Sequence, residues 1–238
     1  MDLLKVELLK AKKFSLIPLA ILAPIPAIVF AAKFFKVISG EIEGVSIFKA
    51  LMQISSTMYV GMFLPILIIY GVCSVTKIEN ENNGWKQLMT MPIKKWKIYF
   101  SKNLINILIV GASLVTYYIS CLLGAYILSG KWYFESGELI KIGKVFLTLL
   151  PIIILLFAVA RIFKSIAVSL GVGVVLMLST LFIAQSKYWI FAPWTYPVVL
   201  SSASISAREN IIILLVSILL AVLLFFGDLY NFTTKDVI

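Results

Sequence analysis

The residues with most to offer chemically lie between positions 77 and 100. An acidic, amide-rich stretch from Glu79 through Glu81 to Asn83 precedes Gly84, which can start a turn. Trp85, Leu88 and Met89 follow at i, i+3 and i+4, the spacing of one helical face. Pro92 closes that short helix, and Lys94, Lys95 and Lys97 begin the next one. This is the chemistry of recognition rather than bond-making. A short helix showing an apolar tripod to water docks into a partner's groove or rests its rings on lipid, and the residues alone allow both.

Catalytic constellations are missing. The chain has no histidine, which removes histidine-based acid–base chemistry, Ser-His-Asp triads and His-ligated zinc. Cys73 and Cys121 lie singly in apolar runs, where cysteine behaves as a small buried hydrophobe. No GxxxxGK[ST] occurs, so ATP would have to be bound by another polypeptide.

The elements that must position these residues are membrane helices. Of 238 residues, 61% are hydrophobic and 13% charged, against about 25% charged in soluble domains. Mean hydropathy is +1.05. Six segments, roughly 15–32, 54–76, 104–128, 145–160, 166–184 and 211–227, contain no Asp, Glu, Lys or Arg. A mid-bilayer charge costs about 2.5–3.5 kcal/mol, so six clean runs predict six spans in a single membrane domain covering 1–238. The spans hold no carboxylate for a proton relay, which counts against an ion-coupled transporter. The fourth is short and needs Lys144 and Arg161 to snorkel at its ends. Only Arg161 to Ser165 separates it from the fifth, which predicts a helical hairpin. The first carries Pro18, Pro24 and Pro26 and reads as a retained, bent helix rather than a cleaved signal.

An even number of spans places both termini on one side. With that side cytoplasmic, 13 Lys and Arg lie inside and 8 outside, which favours this orientation. The net charge of +10 then meets anionic headgroups rather than nucleic acid. Residues 2–13 form a basic amphipathic stretch. Leu3, Leu4, Leu8, Ala11 and Phe14 share one side; Lys5, Lys10, Lys12 and Lys13 fall mostly opposite, and Glu7 interrupts the apolar stripe. Residues 185–210 bring Tyr188, Trp189, Phe191, Trp194 and Tyr196 together with Pro193 and Pro197, suited to the headgroup level.

The acidic residues Glu79 and Glu81, then Gly84-Trp85-Lys86-x-Leu88, then Pro92 and a basic lead into the third span resemble the cytoplasmic loop of ABC-2 type permeases. The likeness is nearest to lantibiotic and bacteriocin immunity permeases. The basic N-terminal helix ending in Lys12-Lys13 and the six spans extend it over the whole chain. It implies an all-α, polytopic permease with an N-terminal interfacial helix, in a bacterial cytoplasmic membrane. It also implies that Glu79, Glu81, Gly84, Trp85, Lys86, Leu88 and Pro92 contact a separate ATPase. Two ATPase copies, binding ATP and Mg²⁺, would serve this chain and a second permease, identical or homologous, while this chain itself binds no cofactor. Trp189, Trp194 and Tyr196 would sit in short re-entrant helices closing the outer end. The implied substrate is an amphipathic antimicrobial peptide, exported for self-protection. Exporters of drugs or lipids, and a non-transporting scaffold whose 77–98 loop binds a soluble partner, are the alternatives. An enzyme acting on lipids lacks any acid–base constellation.

Overall fold

The computed structural model describes residues 6–10, 15–38, 47–80, 84–90, 92–163, 165–202 and 205–234, and among them there is no strand. Residues 6–10 are helical (α1). They are followed by α2 (Leu16–Leu22), α3 (Ile25–Ile38), α4 (Ile47–Met58), α5 (Leu64–Asn80), α6 (Gly84–Thr90), α7 (Lys95–Ser129), α8 (Ser136–Phe163), α9 (Ile166–Ile183), α10 (Tyr196–Ser202) and α11 (Ala207–Thr234). Among the described residues, six helical stretches are long and apolar enough to cross a bilayer: Leu16–Phe35, Ile47–Lys77, Lys95–Ser129, Ser136–Phe163, Ile166–Ile183 and Ala207–Thr234. The fold is all-α and polytopic. The second span is the most buried, and the fifth and sixth are the most open.

The first span bends where its prolines predict, and four others depart from their expected outlines, the second beginning at Ile47 instead of near 54. The first breaks between α2 and α3 at Ala23 and Pro24, where proline lacks the N–H that a continuous helix would use. The third helix begins at Lys95 rather than near 104, and with 35 residues is about 52 Å long. The fourth is not short: it runs 28 residues, with Glu138 in its first turn and Arg161 in its last, each favourably placed against the helix dipole. The sixth continues to Thr234 and so takes Asp228 into a span that had read as free of acids. The common cause is that hydropathy marks where lipid lies, whereas a helix continues as long as its own backbone bonds do.

In the second span the turn over Tyr59–Phe63 widens to a π-helix between α4 and α5. Pro65 follows at once, and a wider turn relieves the clash and the missing donor of an in-helix proline. The widened turn also aims Tyr59 at α7, where its hydroxyl meets Ser113 Oγ at 2.7 Å and its ring stacks on Tyr117 at 4.4 Å. The entry to α11 is a capping box: Ser206 Oγ accepts from the Glu209 N–H, and Glu209 Oε2 accepts from the Ser206 N–H at 3.0 Å.

Close approach of α9 to α5 depends on one glycine. A Cβ on Gly173 would lie 2.4 Å from Ile69 Cγ1, on a side chain that is itself buried. Gly173→Ala is expected to force the two helices apart and cost about 1–3 kcal/mol, read as a lower thermal midpoint in detergent. Gly171→Ala, which meets nothing within 4 Å, is the neutral control.

Candidate functional site

One face of α7 near its N-terminus carries Tyr99, Lys102, Asn103 and Asn106, at i, i+3, i+4 and i+7, and all four are buried. Lys102 is 0% exposed, so its ammonium cannot snorkel and must be matched inside the protein. Glu79, from the end of α5, lies 2.9 Å from Lys102 Nζ. Glu7 of α1 lies 3.3 Å away. Lys10 joins both acids, at 2.8 Å from Glu79 Oε1 and 3.0 Å from Glu7 Oε1. Among the described residues, two acids and two lysines thus close a charge-balanced hub binding α1, α5 and α7. Glu7, an interruption in the apolar stripe by sequence, is the residue that docks α1 on the bundle.

Trp85 caps this hub. Its ring lies 5.7 Å under Lys102 Nζ, a cation–π contact, and edge-on to Phe232 of α11 at 5.7 Å. The indole N–H donates to Asn80 Oδ1 at 2.7 Å, and Asn80 Nδ2 donates to the Ala160 carbonyl of α8 at 3.1 Å. A second ion pair, Arg161 with Asp228, joins α8 to α11, and the Arg161 guanidinium lies 5.4 Å over the Phe232 ring. Tyr99 packs against Phe157, Phe225 and Phe232 and completes the aromatic joint.

Two members of the expected tripod, Trp85 and Leu88, are therefore turned inward, while the side chain of the third, Met89, lies outside the described residues. Trp85 is 4% exposed and Leu88 half-buried against the same core, so neither projects into water. The physical reason is the neighbour: a buried ammonium and an edge-on phenyl offer the indole more than solvent does. Gly84 opens α6, whose described exposed positions are Gln87 and Thr90, and Pro92 just beyond it is exposed as well. Glu79 lies in the hub instead of on the surface. Glu81, Lys5, Lys12, Lys13 and the side chain of Lys86 lie outside the described residues. Sequence reasoning missed Lys102, Asn103, Asn106, Arg161's partner Asp228, and Phe232. The one available signal was a lysine and two asparagines at the head of the third apolar run.

Burial opposes the charge on Lys10, but its bonds to Glu79 and Glu7 outweigh that and hold its pKa above the ordinary 10.5. A group with a raised pKa contributes fully below its free-chain value and loses that contribution as pH rises through the bound value. The Lys10 anchor of α1 is accordingly expected to persist through neutral pH and to loosen only above about 10.5. A spin label at exposed Leu9 would read this as an alkaline rise in mobility.

At the opposite end of the bundle, short turns over Trp189–Phe191 and Pro193–Thr195 lead into α10. Tyr196 is buried and edge-on to Trp189 at 6.2 Å. The Trp194 indole donates to Ser179 Oγ of α9 at 3.0 Å. Trp194 and Val198 line a small, mostly apolar cleft together with Val60, Ile69, Leu149 and Gly173. Trp194→Phe removes the bond to Ser179 and keeps the ring. It is expected to cost about 1 kcal/mol, measured as a small drop in thermal midpoint.

Residues 3–180, well over half the chain and including the whole four-charge hub and Trp85, match the family described as ABC-2 family transporter protein. The chain belongs to the ABC-2 transporter family. This ABC-2 protein is thus a multi-pass membrane component of a transporter and not itself the catalytic subunit. No curated protein and no solved structure matches it. The matched range ends within α9, so the aromatic turns, α10 and α11 of this ABC-2 protein lie beyond it.

Proposed function

We propose that this ABC-2 chain is the permease half of a bacterial ABC exporter, moved from the cytoplasmic side through α6 and α1. The observation that carries the reading is the joint at Trp85. One indole, with the hub beneath it, ties α6 to α5, α7 and α11, and through Asn80 to α8. Force applied to the exposed positions Gln87, Thr90 and Pro92 would be carried inward by that side chain rather than dissipated in a loop. An ATPase pair binding ATP and Mg²⁺ would supply the force, and a second permease, identical or homologous, would close the pathway across a two-fold axis. Glu79 and Trp85 then transmit the motion instead of touching the ATPase. Trp189, Trp194 and Tyr196 form the lid at the outer end.

Apolar, aromatic lid residues suit an amphipathic peptide. The proposed cargo is an antimicrobial peptide of the lantibiotic or bacteriocin kind, cleared from the membrane in self-protection. Co-expression with the ABC ATPase encoded beside its gene tests this. A complex whose ATP hydrolysis rises with cationic amphipathic peptide is expected. Stimulation by drugs or lipids but not by peptide would shift the cargo to those classes. Binding of a soluble partner without any ATPase would favour the scaffold reading.

A further inference from the structure

Between α3 and α7, which belong to the first and third spans, a groove of about 330 Å³ opens at the end of the bundle away from the four-charge hub. Odd-numbered spans cross the membrane in the same direction, so its lining rises from Ile25 and Ser120 to Ala32 and Leu128. That is about 12 Å along α7. The two helices meet at its floor, where a Cβ on Gly124 would lie 3.3 Å from Ile28 Cγ2. Ser120, half-buried, is the one lining residue with a polar side chain. Val29 and Leu123 also line it and remain 50% and 47% exposed, so the groove is open along its length.

Its size separates the possible occupants. A helix about 10–12 Å across needs roughly 900 Å³ over the same length, far more than the groove holds. A single hydrocarbon chain is slimmer and needs no polar partner along an apolar wall. The charges at the groove's end specify the head that such a chain carries. Lys33 directly follows Ala32, and Lys131 follows Leu128 by three residues. Both are exposed, and among the described residues neither makes an ion pair. Tyr126 and Trp132, exposed beside them, stack at 4.6 Å and mark the headgroup level, where Tyr and Trp settle. The two ammonium groups therefore stand at phosphate height over an apolar slot. We propose that this groove seats one acyl chain of an anionic phospholipid, of the phosphatidylglycerol type. Lys33 and Lys131 donate to its phosphate, and the chain runs down past Gly124 to Ser120. A zwitterionic head brings a cation of its own to the same place and gains less.

The test needs only the full chain in detergent, so its outcome is independent of any ATPase. Native mass spectrometry would follow titration with dioleoyl phosphatidylglycerol, phosphatidylethanolamine and phosphatidylcholine. Phosphatidylglycerol is expected to bind best. Lys33→Gln and Lys131→Gln combined are expected to weaken it by about tenfold or more, the scale of two cations at a lipid surface. Both positions are exposed, so the fold should survive, as an unchanged thermal midpoint would confirm. Lys187→Gln, exposed at the same end but on the far side of α9, should change little. Ser120→Phe, which fills the groove and leaves both lysines, should weaken binding as well. Equal binding of the three lipids, or unaltered phosphatidylglycerol affinity in the double lysine variant, would overturn the assignment. So would full binding by Ser120→Phe, which would leave surface charge alone as the cause. A lipid-free dimer that Ser120→Phe dissociates would give the groove to a second copy and overturn it too.

Discussion

Trp85→Ala is expected to separate ATP hydrolysis from transport in the reconstituted exporter. The substitution empties the space between Lys102 and Phe232 and strands the Asn80 side-chain oxygen. Truncating a buried tryptophan costs about 3–5 kcal/mol when the surroundings relax only partly. The six spans do not depend on it, so the protein should reach the membrane in normal amount. Transport is expected to fall by about tenfold or more, a coupling loss of at least 1.4 kcal/mol, while the complex still hydrolyses ATP. Trp85→Phe keeps a ring against both neighbours and loses only the bond to Asn80, so it should fall between the two. Unchanged transport in Trp85→Ala would remove α6 as the point where force enters.

Lys102→Met should act chiefly on stability. It leaves Glu7 and Glu79 buried, with half-buried Lys10 the one cation among the described residues still paired with them. Breaking a buried ion pair from one side typically costs about 3–5 kcal/mol, because the stranded charge remains in place. The expected reading is a marked fall in thermal midpoint and release of α1, seen as mobility of a label at Leu9. Adding Glu79→Gln to Lys102→Met removes one stranded charge and should recover part of the loss. Lys97→Met, at an exposed position on the same helix, should change little. A Lys102→Met protein as stable as the parent would mean that the hub does not hold α1 to the bundle.

These two predictions rest on contacts of very different legibility. Trp85 stands out in the sequence by its neighbours Gly84, Leu88 and Pro92, and its helix is where the spacing places it. Its direction was not legible, because periodicity tells which residues share a face and not what that face meets. Lys102 and Asp228 were still less so. Each sits at the margin of an apolar run, where a basic or acidic residue ordinarily marks the water boundary. Only the approach of α1, α5 and α7 shows Lys102 to be enclosed, and only α8 beside α11 pairs Asp228 with Arg161.

Composition and charge-free runs alone determined six spans and an all-helical chain, because lipid accepts a backbone only when its polar groups are satisfied within the element. The lack of any histidine and of a GxxxxGK[ST] excluded histidine chemistry and a P-loop in this sequence. The widened turn at Tyr59, the inward rotation of Trp85, the four-charge hub and the close seat of Gly173 on Ile69 were decided by tertiary packing. The physical reason is common to all four. Hydropathy averages over every side of a helix, whereas burial, pairing and strain belong to the single side that another helix covers.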